Sequence, residues 1–245
     1  MKPLLYLLLS ILLVNCAPSL PPTAAEITKT PESEDTAVPQ QTDLPGQTIR
    51  FLALGDSYTI GQGVSEEDRW PEQLAAQLDE QGIETQVTII ARTGWTTDDL
   101  LFSLATKPPE GTYNLVSLLI GVNDQFRGGE PEEYRVRFRE LLEQAIVFAG
   151  NNPQNVIVLS IPDWVVTPYA ERMPPRSLEF DIDDFNQVNL QEAQKYGVHY
   201  VDITPISRLV TKDKELIAPD GLHPSGAMYA LWVDETLPQV LEIIQ

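Results

Sequence analysis

The stretch FLALGDSYTIGQG, residues 51–63, places a serine directly after a run of apolar residues. The run from Phe51 to Leu54 is typical of a strand buried in a sheet, and Gly55 ends it. A chain leaving such a strand usually turns away over the surface, and serine is an ordinary residue of turns and helix caps. The stretch alone therefore predicts a buried strand and leaves the role of Ser57 open.

From residue 47 onward, short apolar strands alternate with helical patterns. The predicted strands are TIRFLAL, QVTIIA, YNLVSLLI, NVIVLSI and VHYVDI, and the predicted helices cover 70–80, 97–104, 131–149, 181–196 and 224–243. The helix over 131–149 is the clearest, and its Glu and Arg residues are interpreted as a solvated face. Strands separated by helices favour parallel pairing through right-handed crossovers. The sequence therefore predicts one α/β domain over 47–245, a three-layer α/β/α sandwich with a five-stranded parallel sheet.

Polar or glycine-rich segments follow four of these predicted elements. They are GDSY at 55–58, RTGWT at 92–96, IGVNDQF at 120–126 and PDGLHPSG at 219–226. In open parallel sheets, ligands bind beyond the carboxyl ends of the strands. We therefore expect Ser57, Gly94, Asn123, Asp220 and His223 to converge on one edge of the sheet.

These four segments resemble the sequence blocks of the SGNH hydrolases, also called GDSL esterases and lipases. The blocks occur in the family's order from about residue 50 to residue 226, although Tyr58 stands where leucine is commoner. The resemblance implies the flavodoxin-like SGNH hydrolase fold and a serine esterase that hydrolyses carboxylic esters. It implies no cofactor.

The residues themselves support a nucleophilic serine. A serine hydroxyl becomes reactive when a neighbouring base takes its proton, and the chain has two histidines. His199 lies inside the predicted fifth strand, where a histidine usually packs. His223 follows Asp220 by three residues, so the carboxylate can reach one ring nitrogen while the other faces Ser57. We predict a triad of Ser57, His223 and Asp220.

The resemblance also assigns an oxyanion hole. Its donors are the backbone N–H groups of Ser57 and Gly94 and the side-chain amide of Asn123. A glycine at position 94 suits this role because a side chain there would obstruct the substrate carbonyl. Asn123 has an alternative role as a turn former, since Asn-Asp is a common turn pair. Asp56 and Asp124 are interpreted as structural residues that cap turns or short helices.

Composition argues against several other classes of function. The net charge of −20, from 36 acidic and 16 basic residues, repels phosphate backbones and argues against a nucleic-acid partner. Two histidines and one cysteine do not suit a zinc cluster, and we predict no metal site. Gly61 and Gly63 lack the third glycine of a dinucleotide site. The acidic DIDD at 181–184 is interpreted as a helix N-terminus.

The N-terminal segment is typical of an exported protein. Residues 1–16 predict a signal peptide, with an apolar run from Leu4 to Val14 ahead of Cys16. Cys16 resembles the lipidated cysteine of a bacterial lipobox, although Asn15 stands where Gly, Ala or Ser is usual, and a plain signal peptide is the alternative. Residues 17–46 are rich in Pro, Thr and acids and predict a disordered tether. We expect a protein anchored by lipid to a membrane of the cell envelope.

The sequence leaves the ester open. Acetylated carbohydrate and short acyl or lysophospholipid esters both fit the motifs, and a non-catalytic surface binding module is the rival function. The long loop predicted over 162–180 suits a functional or mobile segment. Its Trp164 and Tyr169, with Trp95 beside Gly94, would either contact substrate or pack within the loops.

Overall fold

A computed structural model describes residues 48–173 and 180–244. The predictions for the signal peptide, for Cys16 and for the tether over 17–46 lie outside the described residues. Within the described ranges, no helix combines the length and the apolar character needed to cross a membrane.

Strands and helices alternate along the chain. The strands are β1 (Ile49–Gly55), β2 (Thr85–Ala91), β3 (Leu115–Leu119), β4 (Val156–Leu159) and β5 (His199–Val201). The helices are α1 (Ser57–Ile60), α2 (Trp70–Glu80), α3 (Thr97–Thr106), α4 (Val122–Phe126), α5 (Pro131–Phe148), α6 (Pro168–Glu171), α7 (Ile182–Tyr196), α8 (Thr204–Ser207) and α9 (Gly226–Ile244). The five strands and five longer helices match the predicted ones, whereas the four-residue and five-residue helices were not predicted because they carry too few residues to show a period.

The sheet is parallel throughout, and its strand order is β2-β1-β3-β4-β5. This confirms the predicted five-stranded parallel sheet and gives it the flavodoxin-like order. The order reverses between β1 and β3, where Gly55 pairs with Leu119. In open α/β sheets the ligand crevice lies at such a reversal.

Helices cover the sheet in two groups. Helices α2 and α9 pack on each other, and α5 packs between α3 and α7. The central strands are buried throughout, as Phe51, Leu115 and Val158 illustrate. Continuous burial explains why these strands read as apolar runs and not as alternating patterns.

The polar side of α5 differs from its prediction. Arg135 and Arg139 turn toward α7 and bind the carboxylate of Glu192, at 3.1 and 2.8 Å. Glu192 is only 3% exposed. Hydrogen bonds from Arg139 and then Arg135 outweigh its burial and lower its pKa to about 2. The interpretation of these two arginines as part of a solvated face is therefore wrong.

The segment after β4 is more ordered than the predicted loop. It contains a single 3₁₀ turn at Trp164–Val166, followed directly by α6. Asp163 caps the turn by accepting from the Val165 N–H at 3.0 Å, and Thr167 caps α6. Residues 174–179 lie outside the described residues.

Candidate active site

The turn from β1 into α1 presents Ser57 at the start of a helix. Asp56 is the N-cap, and its carboxylate accepts from the Tyr58 N–H at 3.0 Å, which confirms its structural role. Gly55 has no room for a side chain, because a Cβ there would lie 2.5 Å from the Leu119 carbonyl oxygen. Burial raises the pKa of Asp56 to about 8.

Ser57, His223 and Asp220 form one hydrogen-bonded chain. The Ser57 Oγ lies 3.0 Å from His223 Nε2, and His223 Nδ1 lies 2.6 Å from Asp220 Oδ2. The other oxygen of Asp220 accepts from the backbone N–H groups of Leu222 and His223 at 2.9 and 3.0 Å. Partial burial raises the pKa of Asp220, but the hydrogen bonds from His223 and these two N–H groups outweigh burial and leave it below its usual range. Asp220 therefore stays ionised beside His223 at neutral pH.

The second histidine lies elsewhere. His199 is the first residue of β5 and pairs with Ile157. It is thus at the amino end of its strand, whereas the Ser57 chain lies beyond the carboxyl ends.

Two hydrogen bonds, donated by the segment after β4, hold the turn that carries Asp220. The Tyr169 N–H donates to the Gly221 carbonyl at 2.8 Å, and the Arg172 guanidinium donates to the Asp220 carbonyl at 2.9 Å. Arg172 was not among the predicted site residues. It lies 48 positions from Asp220, and no local motif marks a contact of that separation.

Gly94 lies on the loop between β2 and α3. Its φ of +80° is a conformation that favours glycine, and apart from its chain neighbours no described residue has an atom within 4 Å of the position a Cβ would take. Two features therefore favour a glycine here: its backbone conformation, and the open space that a side chain would fill. Among the described residues, neither the Gly94 N–H nor the Ser57 N–H donates to a protein group.

Helix α4 fixes the loop that carries Gly94. Asn123 donates one amide hydrogen to the Trp95 carbonyl at 2.8 Å, and Arg127 donates to the Gly94 carbonyl at 2.8 Å. Asp124 accepts from the Thr97 N–H and hydroxyl, at 3.1 and 2.6 Å. The structural role of Asp124 is confirmed, because it accepts from the first N–H group of α3 and so ties α3 to α4. Burial raises its pKa to about 6.

A cleft of about 360 Å³ opens above Ser57 and His223. Its lining combines apolar groups with the polar Gln62 and Thr93, and the Thr93 hydroxyl donates to the Gln62 carbonyl oxygen at 2.7 Å. The apolar groups are Val122, Phe126, Trp164, Tyr169 and Leu222.

Of the three aromatic residues considered in the sequence, two line the cleft and one packs against the core. Trp164 lines the cleft, donates to Gln125 at 2.9 Å and meets Phe126 edge-on at 5.0 Å. Tyr169 also lines the cleft. Trp95 is half-buried against the core and is not among the residues that line the cleft in the described part of the chain.

Comparison with known proteins gives one consistent result. The model of the GDSL-like lipase/acylhydrolase family matches residues 53–231. An arylesterase from Vibrio mimicus is 27% identical over 192 residues, which cover 78% of this chain and 88% of that protein. The crystal structure of TesA aligns with a TM-score of 0.63 at 21% identity, over 79% of this chain and 99% of that one. Axe2, an acetylxylan esterase from Geobacillus stearothermophilus, aligns with a TM-score of 0.58 at 20% identity, over 78% and 94%.

Proposed function

The chain belongs to the GDSL-like lipase/acylhydrolase family and is an ester hydrolase, and we propose that Ser57, His223 and Asp220 carry out the hydrolysis. The observation that supports these roles is the chain of contacts from Asp220 through His223 to Ser57, 2.6 and 3.0 Å long, at the base of the cleft. Ser57 is the nucleophile, His223 the general base and acid, and Asp220 the group that orients the imidazole.

The first half of the reaction forms an acyl-enzyme. His223 Nε2 takes the hydroxyl proton as Ser57 Oγ attacks the ester carbonyl carbon, and the carbonyl oxygen becomes an oxyanion. When the intermediate collapses, the bond to the alcohol oxygen breaks and His223 returns its proton to that oxygen. Asp220 stabilises the imidazolium between these two transfers.

The second half repeats the sequence with water. His223 takes a proton from a water molecule as its oxygen attacks the acyl carbon, and the Ser57 oxygen leaves with that proton. The products are a carboxylic acid, an alcohol and the free enzyme.

Three donors stabilise the oxyanion in this proposal. They are the N–H groups of Ser57 and Gly94, which have no other described partner, and the second amide hydrogen of Asn123. The first amide hydrogen of Asn123 holds the Trp95 carbonyl, so the same side chain positions the Gly94 loop. The turn-former alternative for Asn123 does not account for this contact with Trp95.

The cleft supports an ester with a small acyl group. Its volume of about 360 Å³ suits a compact substrate, and its apolar wall suits uncharged groups. Among the lining residues in the described part of the chain there is no lysine or arginine. We therefore propose acetylated carbohydrates and short acyl esters as the substrates, and the long acyl chain of a lysophospholipid makes that class the weaker candidate.

The test is turnover of a panel of p-nitrophenyl esters from acetate to laurate, acetylated sugars and lysophosphatidylcholine. Ser57→Ala measured in parallel gives the background. We expect hydrolysis of the short esters to depend on Ser57, with kcat/KM falling as the acyl chain lengthens. Equal turnover by wild type and Ser57→Ala would contradict the proposed roles.

We further propose that the protein is exported and anchored to a membrane through lipid on Cys16. The support is sequence alone: one cysteine follows an apolar run and precedes a segment rich in Pro, Thr and acids. Cys16→Ser should move the protein from the membrane fraction to the soluble fraction without changing its kcat. A mature chain that begins at a residue other than Cys16 would contradict the anchor and leave export standing.

A further inference from the structure

Tyr58, the residue directly after the nucleophile, lies against the catalytic histidine. Its side chain is 3% exposed, and its ring centroid lies 5.5 Å from that of His223 and 6.2 Å from that of Trp232. It is also one of the residues that line the cleft. Leucine, the commoner residue at this place in the SGNH pattern, would fill much of this space but would bring no polar atom.

The Tyr58 hydroxyl has no hydrogen-bond partner among the described residues. The polar atoms of Tyr229 and Trp232 beside it are enclosed and unpaired, but the Tyr58 hydroxyl is not among these enclosed atoms. Tyr58 is almost wholly buried but lines the cleft, so the small exposed part of its side chain faces that space. A polar group in such a place gains most from a partner that arrives with the ligand.

The Tyr58 hydroxyl is held in its protonated form. Burial, followed by the nearby carboxylates of Asp56, Asp163 and Asp220, raises the pKa of Tyr58 well above its usual range. The phenol therefore keeps its proton, and it can donate that proton to an acceptor oxygen in the cleft.

The position of Tyr58 indicates which part of the ester it faces. His223 Nε2 must reach the leaving alcohol oxygen to protonate it, so groups packed on the His223 ring border the alcohol portion. We propose that the Tyr58 hydroxyl donates a hydrogen bond to an oxygen of the alcohol portion, so that the enzyme selects esters of polyols, such as glycerol or a sugar, over esters of simple alkanols. This inference rests on the proposed roles of Ser57 and His223.

The experiment compares two acetates that differ by one atom in a chain of the same length. In 2-methoxyethyl acetate an ether oxygen replaces one methylene of n-butyl acetate. The measured quantity is the ratio of kcat/KM for the methoxyethyl ester to kcat/KM for the butyl ester, divided by the same ratio for hydroxide-catalysed hydrolysis. The division removes the difference in leaving-group reactivity.

We expect a corrected ratio of about ten in the wild type, the size of one net hydrogen bond to a neutral group. In Tyr58→Phe, which keeps the ring against His223, the ratio should fall to about one. Tyr229→Phe is the matched control: it removes an enclosed hydroxyl next to Trp232, away from the cleft lining, and should keep the wild-type ratio.

Each outcome bears on the inference. A wild-type ratio near one overturns it whether or not Tyr58→Phe folds, and so does an unchanged ratio in folded Tyr58→Phe. Hydrolysis of both acetates with no preference leaves the proposed function intact and refutes the role of Tyr58 alone. Failure of the wild type to hydrolyse either ester refutes the proposed function, and this inference with it.

Discussion

Asp220 and Glu192 are two carboxylates held by nitrogen donors, yet their surroundings give them different roles. Glu192 lies between α5 and α7, and its charge is balanced by Arg135, Arg139 and Lys195 at 3.1, 2.8 and 3.7 Å. All three partners are cations, and Arg135 in turn binds Glu132 and Gln191 on the surface. Such a cluster stabilises the packing of α5 against α7 and transfers no proton to a substrate.

Asp220 begins a chain of hydrogen bonds that continues beyond its partner. One of its oxygens binds His223 at 2.6 Å, and the far nitrogen of that ring reaches Ser57, which lines the cleft. A paired carboxylate is thus a candidate for catalysis when its partner has a second nitrogen that faces a nucleophile in a cleft. Changes at Asp220 and its partners should therefore affect activity, whereas changes at Glu192 should affect stability.

The largest expected effect is on turnover. Ser57→Ala and His223→Ala should each lower kcat by roughly 10⁴–10⁶-fold, because members of a triad act as one unit. Both variants should unfold at the wild-type urea midpoint. His199→Ala is the control, since His199 lies at the amino end of β5 and should leave kcat nearly unchanged. A dead His199→Ala variant alongside an active His223→Ala variant would show that the triad is wrongly assigned.

The second-largest expected effect is the loss of turnover when Asn123 is changed. Asn123→Asp puts a negative charge where the oxyanion develops. It also removes the hydrogen bond that the Asn123 amide donates to the Trp95 carbonyl in the wild type. We expect kcat to fall by at least roughly 10²–10³-fold, the loss of one oxyanion donor (about 3–4 kcal/mol), with a smaller change in KM. Steady-state kinetics on p-nitrophenyl acetate, with thermal melts to confirm folding, provide the measurement. Wild-type kcat in the folded variant would rule out the oxyanion role.

Glu192→Gln should lower stability and leave turnover unchanged. It leaves Arg135 and Arg139 without their carboxylate, and we expect the free energy of unfolding to fall by about 3 kcal/mol, as on removing one partner of a buried ion pair. Below the unfolding transition, kcat should stay at its wild-type value. Glu140→Gln is the control, because Glu140 pairs with Arg137 at the surface, and it should change stability by less than about 0.5 kcal/mol. Equal stability of the two variants would refute the role given to Glu192.

The smallest effect is a pH dependence of that stability difference. The pKa of Glu192 is lowered from 4.5 to about 2 in the folded protein, so its contribution is complete above 4.5 and is lost as the pH falls toward 2. The difference in unfolding free energy between wild type and Glu192→Gln should therefore shrink over this window. Taking the difference cancels the opposite trend from Asp56 and Asp124, whose pKa values burial raises. A difference that stays constant from pH 7 to pH 3 would contradict the prediction.

Much of the fold was predictable because its signals are local. The buried strands are short apolar runs, and α5 shows its core face by helical spacing, as Tyr134, Phe138 and Leu141 illustrate. The site residues were likewise marked by short motifs at strand ends. The structure brings Ser57, His223 and Asp220 together, although their catalytic roles stay a prediction.

The contacts that the sequence did not reveal join residues that are far apart along the chain. Arg139 and Glu192 are separated by 53 positions, and Asn123 and Trp95 by 28. Single-sequence patterns carry no information about such pairs, because either partner alone is an ordinary surface or turn residue. The same limit applies to Arg172, which holds the Asp220 turn from the segment after β4.

Labelling with a fluorophosphonate, followed by mass mapping of the adduct, tests most directly whether Ser57 is the nucleophile. Such a reagent reacts with a serine that a neighbouring base activates. We expect a single adduct on Ser57, formed at the wild-type rate in Glu192→Gln and far more slowly in His223→Ala. An adduct on a different residue, or no adduct on the folded wild-type protein, would contradict this role of Ser57.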